Sequence, residues 1–146
     1  MSETPADALA ELEARIRSSE FQRWAGLELV RLERGSVEFA LHIAPHHENL
    51  VGQLHGGMIA TLADTATGVA LRTVLDPGFD HVTVQLELHF LAAARGERIV
   101  ARGKVVRAGR RIGYAEADVV DDEERLIAKA SATFLISQRE GAEDAN

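Results

Sequence analysis

The stretch from Met58 to Leu75 is the feature that most constrains what this chain can fold into. It consists of Ala, Thr, Leu, Val, Ile, Met and one Gly, and its only charged residues are Asp64 and Arg72. A helix that is apolar around its whole circumference is normally buried. An ionised carboxylate in such a helix is costly unless it is paired, hydrogen-bonded or in contact with water. Asp64 is therefore the first candidate functional residue.

Composition narrows the class of protein. The chain has 146 residues, enough for one domain with a real core, and a net charge of −7, which makes a nucleic-acid-binding surface unlikely. Cysteine is absent, which excludes disulfides, thiolate metal sites and cysteine nucleophiles. The carboxylate and the threonines of the apolar stretch argue against a membrane span. The start of the chain lacks the pattern of a secretory signal, so we expect a cytoplasmic location.

Hydrophobic periodicity predicts the other elements. Residues 6–17 have apolar residues at helical spacing, with acids at the front and arginines at the back. Alternation predicts one or two strands between Leu27 and Pro45, and the clearest strand runs from Val82 to Phe90. We therefore expect a helix, a strand or two, the long helix and an antiparallel meander of four strands. The last three strand patterns cover residues 98–107, 112–120 and 126–136.

The last two strand patterns each have one face of small residues. Small side chains allow a helix to pack closely against a sheet. Met58–Leu75 is the only predicted helix that is apolar enough to require such packing. We therefore predict an α+β fold with an antiparallel sheet wrapped around one long central helix. The small residues are Gly113, Ala115, Ala117, Ala128, Ala130 and Ala132.

The chain divides into three predicted segments. We expect Phe21, Trp24 and Leu27 to attach the first helix to the main body. No internal repeat or low-complexity segment interrupts the pattern. The segments are an N-terminal helical part at 1–25, the folded domain at 26–137 and a polar tail at 138–146 that is expected to be disordered.

One motif connects these elements to a known family. Asn49-x-x-Gly52-x-x-His55-Gly56-Gly57 is followed by six intervening residues and then Asp64, and the final strand carries Ala-Ser-Ala-Thr-Phe. This pattern resembles the hotdog-fold acyl-CoA thioesterases, and is most similar to the phenylacetic-acid-pathway (PaaI-like) branch. The resemblance implies that residues 26–137 form a hotdog thioesterase domain.

The resemblance also implies roles for five residues. The Gly56 N–H, at the start of the central helix, would polarise the thioester carbonyl with help from Asn49. Asp64 would activate the attacking water as general base, or attack directly as nucleophile. Thr83 falls where the family often has a hydroxyl that helps to hold the water. His55 would support the Asn49 loop.

Four further residues are candidates for substrate binding. Gly57 lies beside Gly56 at the predicted helix start, where the two glycines can also serve close packing or a turn. Arg107, Arg110 and Arg111 can bind the phosphates of CoA. An otherwise acidic protein needs a local group of basic residues to bind these anionic phosphates. The alternative for these arginines is a solvated turn.

Structural explanations remain open for the main candidates. Asp64 can instead bond to the backbone or to Arg72, Asn49 can bond to its own loop, and Thr83 can be present only because threonine favours strands. The histidines of this sequence do not have the spacing of known metal-binding motifs, so no metal or cofactor is expected. The pool of potential ligands would be His42, His46, His47, His55 and Asp64.

The sequence thus predicts an acyl-CoA thioesterase acting on aromatic or medium-chain acyl groups. The alternatives are a non-catalytic acyl-CoA-binding hotdog module and a hotdog hydratase or dehydratase. Gly56 and Asp64 are eight positions apart, or roughly 12 Å along one helix, too far to act on one thioester. A two-fold dimer would solve this by sharing each site between two chains. We expect a homodimer with shared sites, assembled as a dimer of dimers.

Overall fold

The computed structural model describes residues 5–141, which form three helices and six strands. Helices α1 (Pro5–Arg17) and α2 (Glu20–Ala25) precede the first two strands, and the long helix α3 (Gly56–Arg72) follows them. A short 3-10 turn lies at Pro45–His47. The strands are β1 (Leu27–Glu33), β2 (Ser36–His42), β3 (Phe79–Phe90), β4 (Arg98–Ala108), β5 (Ile112–Val120) and β6 (Leu126–Gln138).

All six strands form one antiparallel sheet in the order β1-β2-β4-β5-β6-β3. The predicted meander of four consecutive strands is therefore wrong, because only β4, β5 and β6 are neighbours in chain order. The segment after β3 crosses the end of the sheet. It begins beside β6, where the Leu91 N–H donates to Ile127 O, and ends beside β2, where the Ile43 N–H donates to Glu97 O. Alternation identifies a strand but does not say which strand it pairs with.

Helix α3 packs on one face of this sheet, as predicted. Its residues Leu62, Ala66 and Leu71 are fully buried. The small residues predicted to receive the helix are buried as well: Gly113, Ala115, Ala117, Ala128, Ala130 and Ala132.

Two glycines show how closely α3 approaches the sheet. A Cβ added at Gly113 would lie 2.6 Å from Leu71 Cδ2, and one added at Gly103 would lie 2.6 Å from the Ala66 carbonyl oxygen. Gly103 contributes to this contact without having been predicted. No helix within residues 5–141 is long and apolar enough to span a membrane.

The predicted attachment of the first helix is only partly correct. Phe21 and Trp24 are 51% and 74% exposed, whereas Leu27 is buried together with Ile16 and Ala25. The reason is that the short helix α2 turns its aromatic side chains outward while Ala25 faces the core.

At the other end, β6 continues to Gln138, and the Arg139 N–H donates to Gly78 O. The predicted disordered tail therefore begins with ordered residues. Its remainder, residues 142–146, lies outside the described residues, as do residues 1–4.

Candidate active site

The N-terminus of α3 offers one backbone donor to a ligand. The His55 side chain caps the helix, because its Nδ1 accepts a hydrogen bond from the Gly57 N–H at 2.8 Å. The Met58 N–H donates to the His55 carbonyl oxygen at 2.9 Å. Within residues 5–141, the Gly56 N–H has no hydrogen-bond acceptor. This amide is therefore free to bind an oxygen where the helix dipole favours negative charge.

The structure corrects two expectations at this helix end. His55 was expected to support the Asn49 loop, but its side chain bonds to the helix, two residues ahead, and only its backbone N–H bonds to the loop, at His47 O. Gly57 was a candidate for substrate binding, but its N–H is occupied by His55. A Cβ on Gly57 would lie 2.9 Å from His55 Nδ1, so a glycine here leaves room for the cap.

Gly56 has its own steric requirement. A Cβ at this position would lie 3.3 Å from the ring of Phe90, which ends β3. The aromatic ring thus lies against the first residue of α3, beside the free amide. This contact packs the end of β3 closely against the start of α3.

Asn49 holds the loop that leads to α3. Its Oδ1 accepts hydrogen bonds from the N–H groups of Val51 and Gln53, both at 3.0 Å. Bonding of Asn49 to its own loop, the structural alternative, is therefore present. Its Nδ2 forms no hydrogen bond within the described part of the chain, so this N–H group is free to donate to a ligand.

Asp64 lies in the middle of α3 and contacts the neighbouring edge strand. The Thr83 hydroxyl donates to Asp64 Oδ1 at 2.9 Å. The other structural alternative, a pair with Arg72, is wrong: Arg72 donates to Phe79 O and, at 2.8 Å, to Asp80 Oδ1. No other side chain among residues 5–141 bonds to the Asp64 carboxylate. It is partly exposed and able to bind water.

The contact between Asp64 and Thr83 belongs to a series of contacts between α3 and β3. One helical turn further on, the His81 ring lies against Gly68, and one turn beyond that Arg72 reaches Asp80. His81 also packs edge-on against Phe134, with ring centroids 5.1 Å apart.

Burial lowers the pKa of His81, and the nearby charge of Arg72 lowers it further. His81 was not among the site residues predicted from the sequence. Its position, two residues before Thr83 on the same face of an alternating strand, was the available signal.

The three arginines proposed for CoA lie at the opposite end of α3 from Gly56. Arg107 belongs to β4, and Arg110 and Arg111 belong to the turn between β4 and β5. Arg110 and Arg111 border a groove with apolar walls, whose other lining residues are Val74, Leu75, Asp76, Phe79, Ala108, Gly109 and Ile136.

The histidines do not assemble into a metal site. Within residues 5–141 no group of three or more His, Cys, Asp or Glu side chains is placed to hold an ion. His47 is buried, and its Nδ1 accepts from the Ala44 N–H while its Nε2 lies 2.8 Å from Ala25 O. This pattern corresponds to a neutral imidazole that donates through Nε2, and burial accordingly lowers the pKa of His47.

Comparison with known proteins places these features in a family. The sequence profile of the Thioesterase superfamily matches residues 51–128, which is more than half of the chain. The matched region includes α3 and most of the sheet. The chain therefore belongs to the thioesterase superfamily.

Individual relatives agree with this assignment. The medium/long-chain acyl-CoA thioesterase YigI of Escherichia coli is 30% identical over 134 residues, which cover 80% of this chain and 84% of YigI. A thioesterase family protein from Silicibacter pomeroyi superimposes with a TM-score of 0.84 and 27% identity, covering 93% of this chain and 100% of that one. A variant of the phenylacetic acid degradation protein PaaI from Thermus thermophilus superimposes with a TM-score of 0.73 and 25% identity, covering 80% and 98%. The predicted hotdog thioesterase fold and thioester hydrolase class are confirmed.

Proposed function

We propose that this protein is an acyl-CoA thioesterase in which Asp64 activates the attacking water and each active site is shared by two protomers. The contact between Thr83 and Asp64 carries this proposal. It holds one carboxylate oxygen at 2.9 Å and leaves the other without a side-chain partner within residues 5–141. Asp64 is partly exposed, so this free oxygen is accessible to the attacking water.

The carbonyl is polarised at the start of α3. The free N–H of Gly56 donates to the thioester oxygen, and the helix dipole stabilises the negative charge that develops there. Asn49 adds a second donor through Nδ2, while its Oδ1 keeps the loop in place. This combination gives Asn49 a structural and a catalytic role together.

The attack on the carbonyl carbon depends on Asp64. Its free oxygen takes a proton from water as the water attacks, and the CoA thiolate then leaves and is protonated. Thr83 fixes the carboxylate orientation, and His81 packs on the same strand next to it. Direct attack by Asp64 is the second route that the same geometry allows.

A second protomer would bring together the two halves of the site, Gly56 from one chain and Asp64 from the other. Gly56 and Asp64 are roughly 12 Å apart along α3, and reacting atoms must approach to about 3–3.5 Å. Strand β3 is an edge of the sheet, and its outward-facing Val82 and Val84 are 55% and 56% exposed. An unpaired strand edge is a ready surface for pairing with another chain, so we propose a two-fold dimer through β3. A dimer of dimers stays a prediction.

Antiparallel pairing of two β3 strands would also give the arginine groove a role. Phe79 lines that groove at one end of β3, while Phe90 touches Gly56 at the other. In an antiparallel pair, the Phe79 end of one β3 strand lies beside the Phe90 end of the other. The groove with Arg110 and Arg111 then lies at the same end of the paired strands as the partner's Gly56. This supports binding of the CoA phosphates across the dimer, by Arg107, Arg110 and Arg111.

The names of two relatives suggest the class of acyl group. YigI is named for medium- and long-chain substrates and PaaI for phenylacetic acid degradation. We propose an aromatic or medium-chain acyl group. A panel of phenylacetyl-, benzoyl-, short-chain and medium-chain acyl-CoA, with thiol release as the readout, would identify the preferred class.

The same assay tests the mechanism through Asp64→Asn. We expect kcat to fall roughly 10²–10⁴-fold, as for loss of a general base, with KM nearly unchanged. The control is Asp118→Asn, since Asp118 is exposed and pairs with Lys129 far from the helix. A kcat within a few-fold of wild type in Asp64→Asn would show that Asp64 is structural. Absence of thiol release with every substrate would favour a hydratase or a binding module.

A further inference from the structure

We propose that a cleft between α1 and the turn after α3 binds a small organic acid with an apolar chain. The acid's carboxylate would lie at a cluster of arginines and its chain against the leucines of the cleft. This site is separate from Asp64 and Gly56, neither of which lines the cleft. No role in the proposed reaction requires it.

The cleft has the size and walls of a small-molecule site. It encloses about 350 Å³, within the roughly 300–1,000 Å³ typical of ligand pockets. Leu9 and Leu12 of α1 form one wall, and Leu75 and Phe79 form the other. These side chains are only partly buried, so the two walls leave apolar surface that a hydrocarbon chain would cover.

Four arginines from distant parts of the sequence meet at the same cleft. They are Arg15 of α1, Arg34 between β1 and β2, Arg72 at the end of α3, and Arg139 after β6. The protein as a whole carries a net charge of −7, so this concentration of positive charge is local. Arginine is well suited to recognising a carboxylate, because its planar group donates two parallel hydrogen bonds.

Nearby acids neutralise this cluster only in part. Arg72 and Arg139 share the single carboxylate of Asp80, at 2.8 and 3.0 Å. Within residues 5–141, neither Arg15 nor Arg34 forms an ion pair, and the only hydrogen bond of the Arg34 guanidinium goes to Thr73 O at 3.4 Å.

Two acids, Glu11 and Asp76, also line the cleft. Neither of them contacts an arginine in the described part of the chain. The cleft therefore has guanidinium donors that remain available to a ligand.

The charges of these arginines are close enough to affect one another. Burial lowers the pKa of Arg72, Asp80 opposes this, and the positive charges of Arg139 and Arg15 lower it further. A bound anion would relieve this repulsion. The simpler explanation, that arginines complement the negative ends of helices, accounts for Arg34 and Arg72 at α3 and for Arg15 in the last turn of α1. It does not account for Arg139, which follows strand β6 and lines the same cleft.

The two halves of the cleft together define the class of ligand. Inorganic phosphate would use only the arginines, and an alcohol only the apolar walls. An organic acid with a hydrocarbon chain uses both. A thioesterase releases an acid of this class, so under the proposed function the cleft is suited to sense the enzyme's own product.

Calorimetry on the full chain tests the proposal with three probes: octanoate, inorganic phosphate and 1-octanol. We expect octanoate to bind saturably, and the other two about tenfold more weakly or not at all. In the double variant Arg15→Ala/Arg34→Ala, octanoate should bind about tenfold more weakly. This is the loss of affinity expected when charge-assisted hydrogen bonds to the carboxylate are removed. The matched control is Arg17→Ala, which removes an exposed arginine of the same helix that pairs with Glu13 outside the cleft.

Other outcomes would overturn the proposal. Unchanged octanoate binding in the double variant would place the acid elsewhere, including the active site. Phosphate binding as tight as octanoate would remove the role of the apolar walls. Arg15→Glu provides a second variant at an exposed position, and it should weaken octanoate binding further by charge reversal. Asp64→Asn should bind octanoate in the cleft normally, so this test is independent of the proposed hydrolysis.

Discussion

Thr83 on the edge strand β3 donates a hydrogen bond to Asp64 on the central helix at 2.9 Å. The two residues are 19 positions apart, and the contact links the only carboxylate of α3 to a strand at one of the two edges of the sheet. Any shift of β3 on pairing would therefore change the orientation of Asp64. Under the proposed function, this hydrogen bond connects assembly through β3 with catalysis by Asp64.

The first prediction concerns that bond. Thr83→Val keeps the shape of the side chain but removes the hydroxyl, so Asp64 loses its side-chain donor. A hydrogen bond to a charged group contributes about 1.5–3 kcal/mol, so we expect kcat to fall by roughly 10–100-fold. Thr83→Ser keeps the hydroxyl and should stay within a few-fold of wild type. Equal activity of the two variants would exclude a catalytic role for the bond.

The second prediction concerns the shared site. Asn49→Ala and Asp64→Asn are each expected to be nearly inactive, because each damages a different half of every site. After subunit exchange, random pairing makes about half of the dimers mixed, and each mixed dimer has one intact site and one doubly damaged site. Activity should then recover to roughly a quarter of wild type. If verified exchange gives no recovery, both residues act within one protomer.

The third prediction concerns the packing of α3 on the sheet. In Gly103→Ala the new Cβ would lie 2.6 Å from the Ala66 carbonyl oxygen, a backbone atom that cannot move freely. We expect the free energy of unfolding to fall by about 1–3 kcal/mol, as for an overpacked core.

Gly68→Ala is the matched control for this change. Its Cβ would make only an ordinary contact at 3.5 Å with His81, and alanine favours a helix over glycine by about 1 kcal/mol. Denaturant unfolding should show loss of stability in the first variant and none in the second.

The fourth prediction concerns pH. Burial lowers the pKa of both His47 and His81 below their ordinary value of 6.5. Below that pH the unfolded chain binds protons that the folded chain does not, so stability is lost as pH falls from 6.5 towards the folded pKa values.

Thermal unfolding measured between about pH 7.5 and pH 5.5 should show a falling midpoint. His81→Phe, which keeps a ring against Phe134, should reduce this dependence. His89→Gln should leave it unchanged, since His89 is exposed. An equally steep dependence in His81→Phe would mean that His81 does not contribute.

Much of the fold follows from local patterns in the sequence. The apolar stretch predicted a buried helix, and α3 occupies Gly56–Arg72 with the glycine pair at its start. The alternation at Ile112–Val120 predicted β5 with the bounds that the structure has. Such patterns are reliable because periodicity records which face of an element is buried. The motif around Asn49 and Asp64 likewise identified the family.

Tertiary structure decided which elements meet. Periodicity could not show that β3 pairs with β6, that Trp24 faces outward, or that His55 caps α3. It also could not show that Thr83 reaches Asp64 or that Arg15 and Arg34 meet at one cleft. These contacts join residues that are distant in the sequence, and they depend on which surface each element covers. A local pattern states that a side chain is buried, whereas only the assembled fold determines what it is buried against.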